Sequence, residues 1–163
     1  RYADEIHDTS RKRFEDHARR VEALDALAAS EVHPGESGLA GARFARGQLR
    51  GDDDPVDFRA ATDRATPASS RYIQPLGGAL QTIYLGQLRE IGLIERERAR
   101  EHTLPLPTSL GRELAQAFDE ANGPIGDLFL DRAGAGVVSR AELGKLGALR
   151  PSALDARTPR GDA

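Results

Sequence analysis

Three adjacent carboxylates, Asp52, Asp53 and Asp54, form the densest cluster of hard oxygen donors in the chain, and hard cations are held by several such oxygens at once. Neighbouring side chains seldom converge on one ion, so Asp residues at this turn between Gly51 and Pro55 are expected to serve the loop or to cap a helix. A second group is cationic. Arg11, Lys12 and Arg13, followed by Arg19 and Arg20, could hold a phosphate, but Glu15, Asp16 and Glu22 are interleaved with them. The run therefore reads as a solvated helix face with ion pairs along it. His7 and His17 stand ten apart, outside any same-face ligand spacing, and His102 beside Glu101 reads as a surface residue. There is no phosphate-cradling Gly loop with a Lys, no Ser-centred elbow and no His and carboxylate pattern for metal hydrolysis. No catalytic residue, metal ligand or cofactor site is expected, and an enzyme is the less favoured class. An active site assembled from distant residues would leave no such trace.

Composition narrows the partners. The 163 residues carry a formal net charge of -3, so contact with a polyanion has to come from a local patch. Hydrophobic residues make up 39%, aromatics 5% and charged residues 30%, which implies a modest core and much solvated helix surface. Without cysteine there is no disulfide framework or thiolate zinc site, and a reducing, cytoplasmic setting is expected. No apolar run approaches the ~20 residues of a membrane-spanning helix, so no membrane partner is expected. The absence of Met, even at position 1, implies a piece of something longer.

The elements that must position any site are helical. Residues 2–30 contain no Pro or Gly and predict a long helix, whose stripe of Tyr2, Ile6, Phe14, Ala18, Val21, Leu24, Leu27 and Ala28 needs a partner. That partner is either the body behind it or another copy of the chain. His33, Pro34, Gly35 and Gly38 break the helix, and residues 39–49 predict a second, short one. A helix is expected over residues 56–64, starting after Pro55, with a linker or turn at 66–70. Leu80, Ile83, Tyr84, Leu88 and Ile91 recur at three- and four-residue spacings and predict one buried stripe of a further helix, stopped by Gly92. Leu93 and Ile94 open an extended run. After the charges from Glu95 to Glu101, Thr103, Leu104 and Leu106 read as a returning strand closed by Pro107.

Ile83, Tyr84, Leu88, Arg89, Ile91, Gly92, Leu93, Ile94 and Glu95 resemble the end of the recognition helix and the first wing strand of PadR-like and MarR-like winged-helix proteins. Pro107, Thr108, Ser109, Leu110, Gly111, Arg112, Glu113 and Leu114 are similar to the Thr-Pro-x-Gly-Arg segment that follows the wing there, although here the Pro precedes the Thr. The resemblance spans about residues 80–118. It implies that Thr108 or Ser109 caps the next helix, with Leu110, Leu114, Ala117 and Phe118 as its buried side. It further implies contact with double-stranded DNA through Gln81, Thr82, Gln87 and Arg89 of the helix and Arg96, Arg98 and Arg100 of the wing. Two departures stand beside it. Pro75, Gly77 and Gly78 fall where a preceding helix should join, and the wing alternates Arg with Glu95, Glu97 and Glu101, which leaves its charge close to zero.

The helix after the wing is expected to end at Asn122, Gly123 and Pro124, with Ile125, Leu128, Phe129 and Leu130 forming a helical turn on the core. Residues 131–142 resemble an EF-hand loop at Asp131, Gly136, Val138 and Glu142, but Ala133 and Ala135 offer no side-chain oxygen where calcium needs it. A Gly-rich turn followed by a capping box, Ser139 with Glu142, accounts for the same residues without an ion. A helix with Leu143, Leu146 and Leu149 in line follows, then a polar tail.

The chain is thus expected to be mainly α, a winged-helix-like core with one short β-hairpin as the wing, a long N-terminal helix and a C-terminal helical extension. Its divisions are an N-terminal helical segment at 1–50, the core at 56–122, the extension at 123–150 and the tail at 151–163. Two functions follow as expectations: a DNA-binding winged-helix module acting in regulation or within a larger assembly, or a helical interaction module that pairs as a homodimer or with a larger protein through its first helix.

Overall fold

In the computed structural model the described residues are 11–35, 40–63, 65–67, 71–73, 75, 78–95 and 105–149. Helix α1, Arg11–Val32, is an uninterrupted run of good helix formers. Its stripe packs against α2, Ala42–Gln48, α3, Arg59–Thr62, α5, Ser109–Ala135, and α6, Arg140–Leu146, and is buried at Leu24, Leu27 and Ala28; Phe14 and Val21 are half-buried, and Tyr2 and Ile6 lie outside the described residues. Leu24 and Leu27 are fully covered together with Phe58, Leu143 and Leu146, so the body of the same chain supplies the partner that α1 needs. Many of the buried positions are alanines, among them Ala23, Ala28, Ala45, Ala61 and Ala133. Small side chains there let the helix axes approach closely, which is how a chain with few aromatics still packs a core.

The fold is mainly helical, as expected, and among the described residues has one two-stranded antiparallel sheet, which is not the wing. It joins β1, Val56–Asp57, to β2, Val137–Val138, with Val56 opposite Val138. The helix expected from Val56 therefore begins only at Arg59. Pairing of two β-branched residues from distant parts of the chain overrides the local preference for a helix after Pro55. Gly136, at φ 70, turns the chain out of α5, and its carbonyl accepts a hydrogen bond from the Phe58 N–H at 3.0 Å.

Helix α6 starts as read. Ser139 Oγ accepts from the Glu142 N–H at 3.2 Å, and the Glu142 carboxylate accepts from the Ser139 N–H at 3.0 Å. Asp54 acts as a cap for this helix and not for a helix of its own, because its carboxylate accepts from the Arg140 N–H at 3.1 Å. The Arg140 guanidinium ties the same corner together through Glu31 and the Leu49 carbonyl, each at 2.9 Å.

One expectation is corrected in the helices. Arg19, read as part of a solvated face, is fully buried; its Nε–H donates to the Thr62 carbonyl at 2.8 Å and its guanidinium pairs with Asp16. Thr62 ends α3, where carbonyls lack an intrahelical donor, so the buried cation meets a need that α3 cannot meet itself. The helix that begins at Ser109 ends at Gly123 as expected, since φ 43 and ψ -122 there are not helical, and a second helical stretch follows to Ala135, so α5 is two helices joined at a sharp kink. Pro124 is compatible with the first turn after the kink, since a proline there gives up no needed hydrogen bond. Beyond the kink, Ile125, Leu128 and Phe129 pack on the core and Ala133 is buried within it. No described helix is long and apolar enough to cross a membrane.

Candidate interaction surface

Residues 78–95 and 105–122 form a helix, a tight turn, a short extended pair and a helix. The first helix runs from residue 78 to 90, with a wide π turn at Leu80–Tyr84 leading into α4, Leu85–Glu90. The start of that helix is held from outside. Glu22 on α1 accepts hydrogen bonds from the backbone N–H groups of Ala79, at 2.8 Å, and Leu80, so a carboxylate from a distant helix takes the place of a local N-cap.

Gly92, at φ 79, stops the helix, and the Leu88 carbonyl accepts from both Leu93 N–H at 2.9 Å and Ile94 N–H at 3.2 Å. Ile94 and Pro107 then form an antiparallel bridge, flanked by Glu95 N–H to Leu106 carbonyl at 2.9 Å and Thr108 N–H to Leu93 carbonyl at 3.0 Å. Thr108 does two things with one hydroxyl. Its Oγ1 donates to the Gly92 carbonyl at 2.7 Å and accepts from Gly111 N–H at 3.1 Å, which closes the turn and caps α5 together.

Burial of Glu22 raises its carboxyl above the ordinary 4.5, an effect that Asp25 adds to and that the two N–H groups and Arg19 offset only in part. A folded-state value above the unfolded one means that the folded chain binds an extra proton between the two. Stability is therefore expected to fall as pH rises from about 4.5 through the raised value, a dependence that Glu22→Gln removes when urea midpoints are compared across that range. Glu142 has the opposite sign. The N–H of Ser139, its hydroxyl and Arg132 hold its carboxyl below the ordinary range, so its contribution is lost only as pH falls through the lowered value.

The residues assigned to DNA contact by resemblance divide three ways. Gln81, Thr82 and Gln87 are exposed on the helix, although Thr82 Oγ1 donates to the Gly78 carbonyl at 2.8 Å. Arg89 is half-buried. Arg96, Arg98 and Arg100 lie outside the described residues.

The apolar positions are where expectation and structure part. Ile83, Tyr84 and Ile91 do not form a buried stripe; Ile91 is 63% exposed and the other two are also open to solvent. On α5, Leu110, Leu114 and Phe118 were expected on the buried side and are 52%, 54% and 44% exposed. Arg112, Ala115, Gln116 and Asp119, on the opposite side of the same helix, face a cleft of about 670 Å³ whose other wall includes Phe14, Ala18 and Val21 of α1. Arg112, Ala115 and Gln116 are exposed as well, so the first half of α5 borders the cleft with its polar side and has its apolar side away from it. The kink at Gly123 accounts for this, because the two halves do not share an axis and the face packed on the core beyond the kink is not continued before it.

No family model matches this chain, and neither curated proteins nor solved structures gave a match.

Neither carboxylate cluster forms a cage, and among the described residues no group of three or more His, Asp or Glu is placed to hold a metal ion. Glu142 is engaged with Ser139 and pairs with Arg132 at 2.8 Å, which sets a guanidinium beside the carboxylate of the loop's last position. The outward stripe on α5 left a periodic signal in the sequence at i, i+4 and i+8. What the sequence lacked was any sign of the side on which the body lies.

Proposed function

We propose that this chain is a protein-docking module, whose partner covers the apolar face made by Leu110, Leu114 and Phe118 of α5. The single observation that carries this reading is the exposure of these three large apolar side chains in line on the side of α5 away from the cleft. Full burial of such side chains contributes roughly 1.5 to 3 kcal/mol each, and the chain alone, which leaves them about half exposed, realises only part of it. Of the stripe of α1, Leu24, Leu27 and Ala28 are buried inside the chain, while Phe14 and Val21 are half-buried along the cleft.

Leu114→Asp tests it. A charge at a core leucine would unfold a chain of this size, whereas at this exposed position the urea midpoint is expected to stay within about 0.5 kcal/mol of the parent. The same variant is expected to lower the native protein's binding of an apolar dye. A variant that unfolds, or dye binding that does not change, rejects the reading.

A second reading, contact with duplex DNA through the helix at 78–90 and the wing, is supported by the order of helix, Gly92 turn, extended pair and Thr108-capped helix. Charge places it second. Residues 80–122 carry five arginines (Arg89, Arg96, Arg98, Arg100, Arg112) against seven carboxylates (Glu90, Glu95, Glu97, Glu101, Glu113, Asp119, Glu120). It requires retention of duplex at low salt that weakens steeply as salt is added; no retention at low salt rejects it.

A further inference from the structure

We infer that the partner seated on the α5 face is a cationic amphipathic helix, an inference that rests on the docking reading above and adds the chemistry of the occupant. The stripe of Leu110, Leu114, Ala117 and Phe118 has the i, i+4, i+7, i+8 spacing of a helix-binding seam. One edge of that seam carries Glu113 and Glu120, both exposed. A separation of seven residues brings the two carboxylates to within about 20° of each other around the helix, so they form a line along the seam and not two scattered charges. Glu120 accepts a hydrogen bond from Gln116 Nε2 at 2.8 Å, a neutral neighbour that leaves its charge in place. The cation of this half-helix, Arg112, lies on the cleft side, where its Nη1 donates to the Pro107 carbonyl at 2.8 Å.

The acidic edge separates the possible occupants. In a two-fold antiparallel pairing of this face with a second copy, the edge meets its own image and Glu113 of one chain approaches Glu120 of the other, a like-charge contact. Duplex DNA and anionic lipid are repelled by the same two charges. A helix with apolar residues on one side and Lys or Arg along its edge fits both features, since its stripe is covered and its cations meet the carboxylates at the rim.

The test uses the full chain with two labelled amphipathic peptides of roughly 15 residues, one of Leu and Lys and one of Leu and Glu, followed by fluorescence anisotropy at low salt. The Lys peptide is expected to bind and the Glu peptide not to. Glu113→Lys with Glu120→Lys is expected to weaken the Lys peptide about tenfold, a change of about 1.4 kcal/mol, while Leu114→Asp removes binding. Circular dichroism of each variant checks that the helices are intact. Equal binding of both peptides that is lost in Leu114→Asp keeps the docking reading and overturns the cationic partner. If neither peptide binds and the chain self-associates in a way that Leu114→Asp abolishes, a second copy is the occupant and the inference falls. Binding of the Lys peptide that is indifferent to Leu114→Asp, or no binding and a monomeric mass, overturns the inference and the docking reading together.

Discussion

Phe58→Ala is expected to lower the stability of this chain by about 3 to 5 kcal/mol, measured as the shift in urea midpoint at constant slope. Phe58 is 0% exposed and packs in one cluster with Leu24, Leu27, Val56 and Leu143. It follows directly after β1, and its backbone N–H holds the Gly136 carbonyl. The substitution leaves that hydrogen bond in place and removes only the ring, so the loss reports on the cavity alone. Against a total of roughly 5 to 15 kcal/mol for a small domain, this takes away a large share of the margin. Truncating Leu110 on the outward face is expected to cost less than about 0.5 kcal/mol in the isolated chain. A Phe58 effect no greater than that of Leu110 would show that the core has been misplaced.

Gly111→Ala is expected to break the junction between the extended pair and α5. A Cβ at that position would stand 2.2 Å from the Leu93 carbonyl oxygen and 3.1 Å from its carbon, both backbone atoms that cannot swing aside. Either the Thr108 N–H to Leu93 hydrogen bond is given up or the first turn of α5 moves, at a cost of about 2 kcal/mol or more. The damage should be local. Amide hydrogen exchange at Leu93, Ile94, Thr108 and Gly111 is expected to speed up while Leu24, Leu27 and Leu143 keep their protection. Unchanged exchange at Thr108 would sink the claim that close backbone approach is the reason for glycine here.

Features written in a few consecutive residues were legible in the sequence. Ser139 and Glu142 announced a capping box, Thr108 announced the start of α5, and Gly92 announced a stop, because each depends on backbone geometry within one turn. Features that depend on a remote partner were not. Nothing near Val56 indicates that Val138 will pair with it, and nothing near Arg19 indicates that the end of α3 will need its guanidinium. Glu22 likewise caps a helix that begins far along the chain. The candidate surface falls between these cases. Leu110, Leu114 and Phe118 line up on one side of a helix from spacing alone, but whether that side faces the body depends on the kink at Gly123.

That kink has a thermodynamic consequence. The stretch of α5 with the outward face leads through Gly123 directly into the stretch that walls the core, so a partner that needs the first stretch helical favours the folded chain. Binding to the folded chain alone then adds to its stability, by about 2.7 kcal/mol when the partner is at a hundred times its Kd. The melting temperature of this chain would rise with partner concentration, and thermal shift alone could rank candidate partners before any of them has been seen in place.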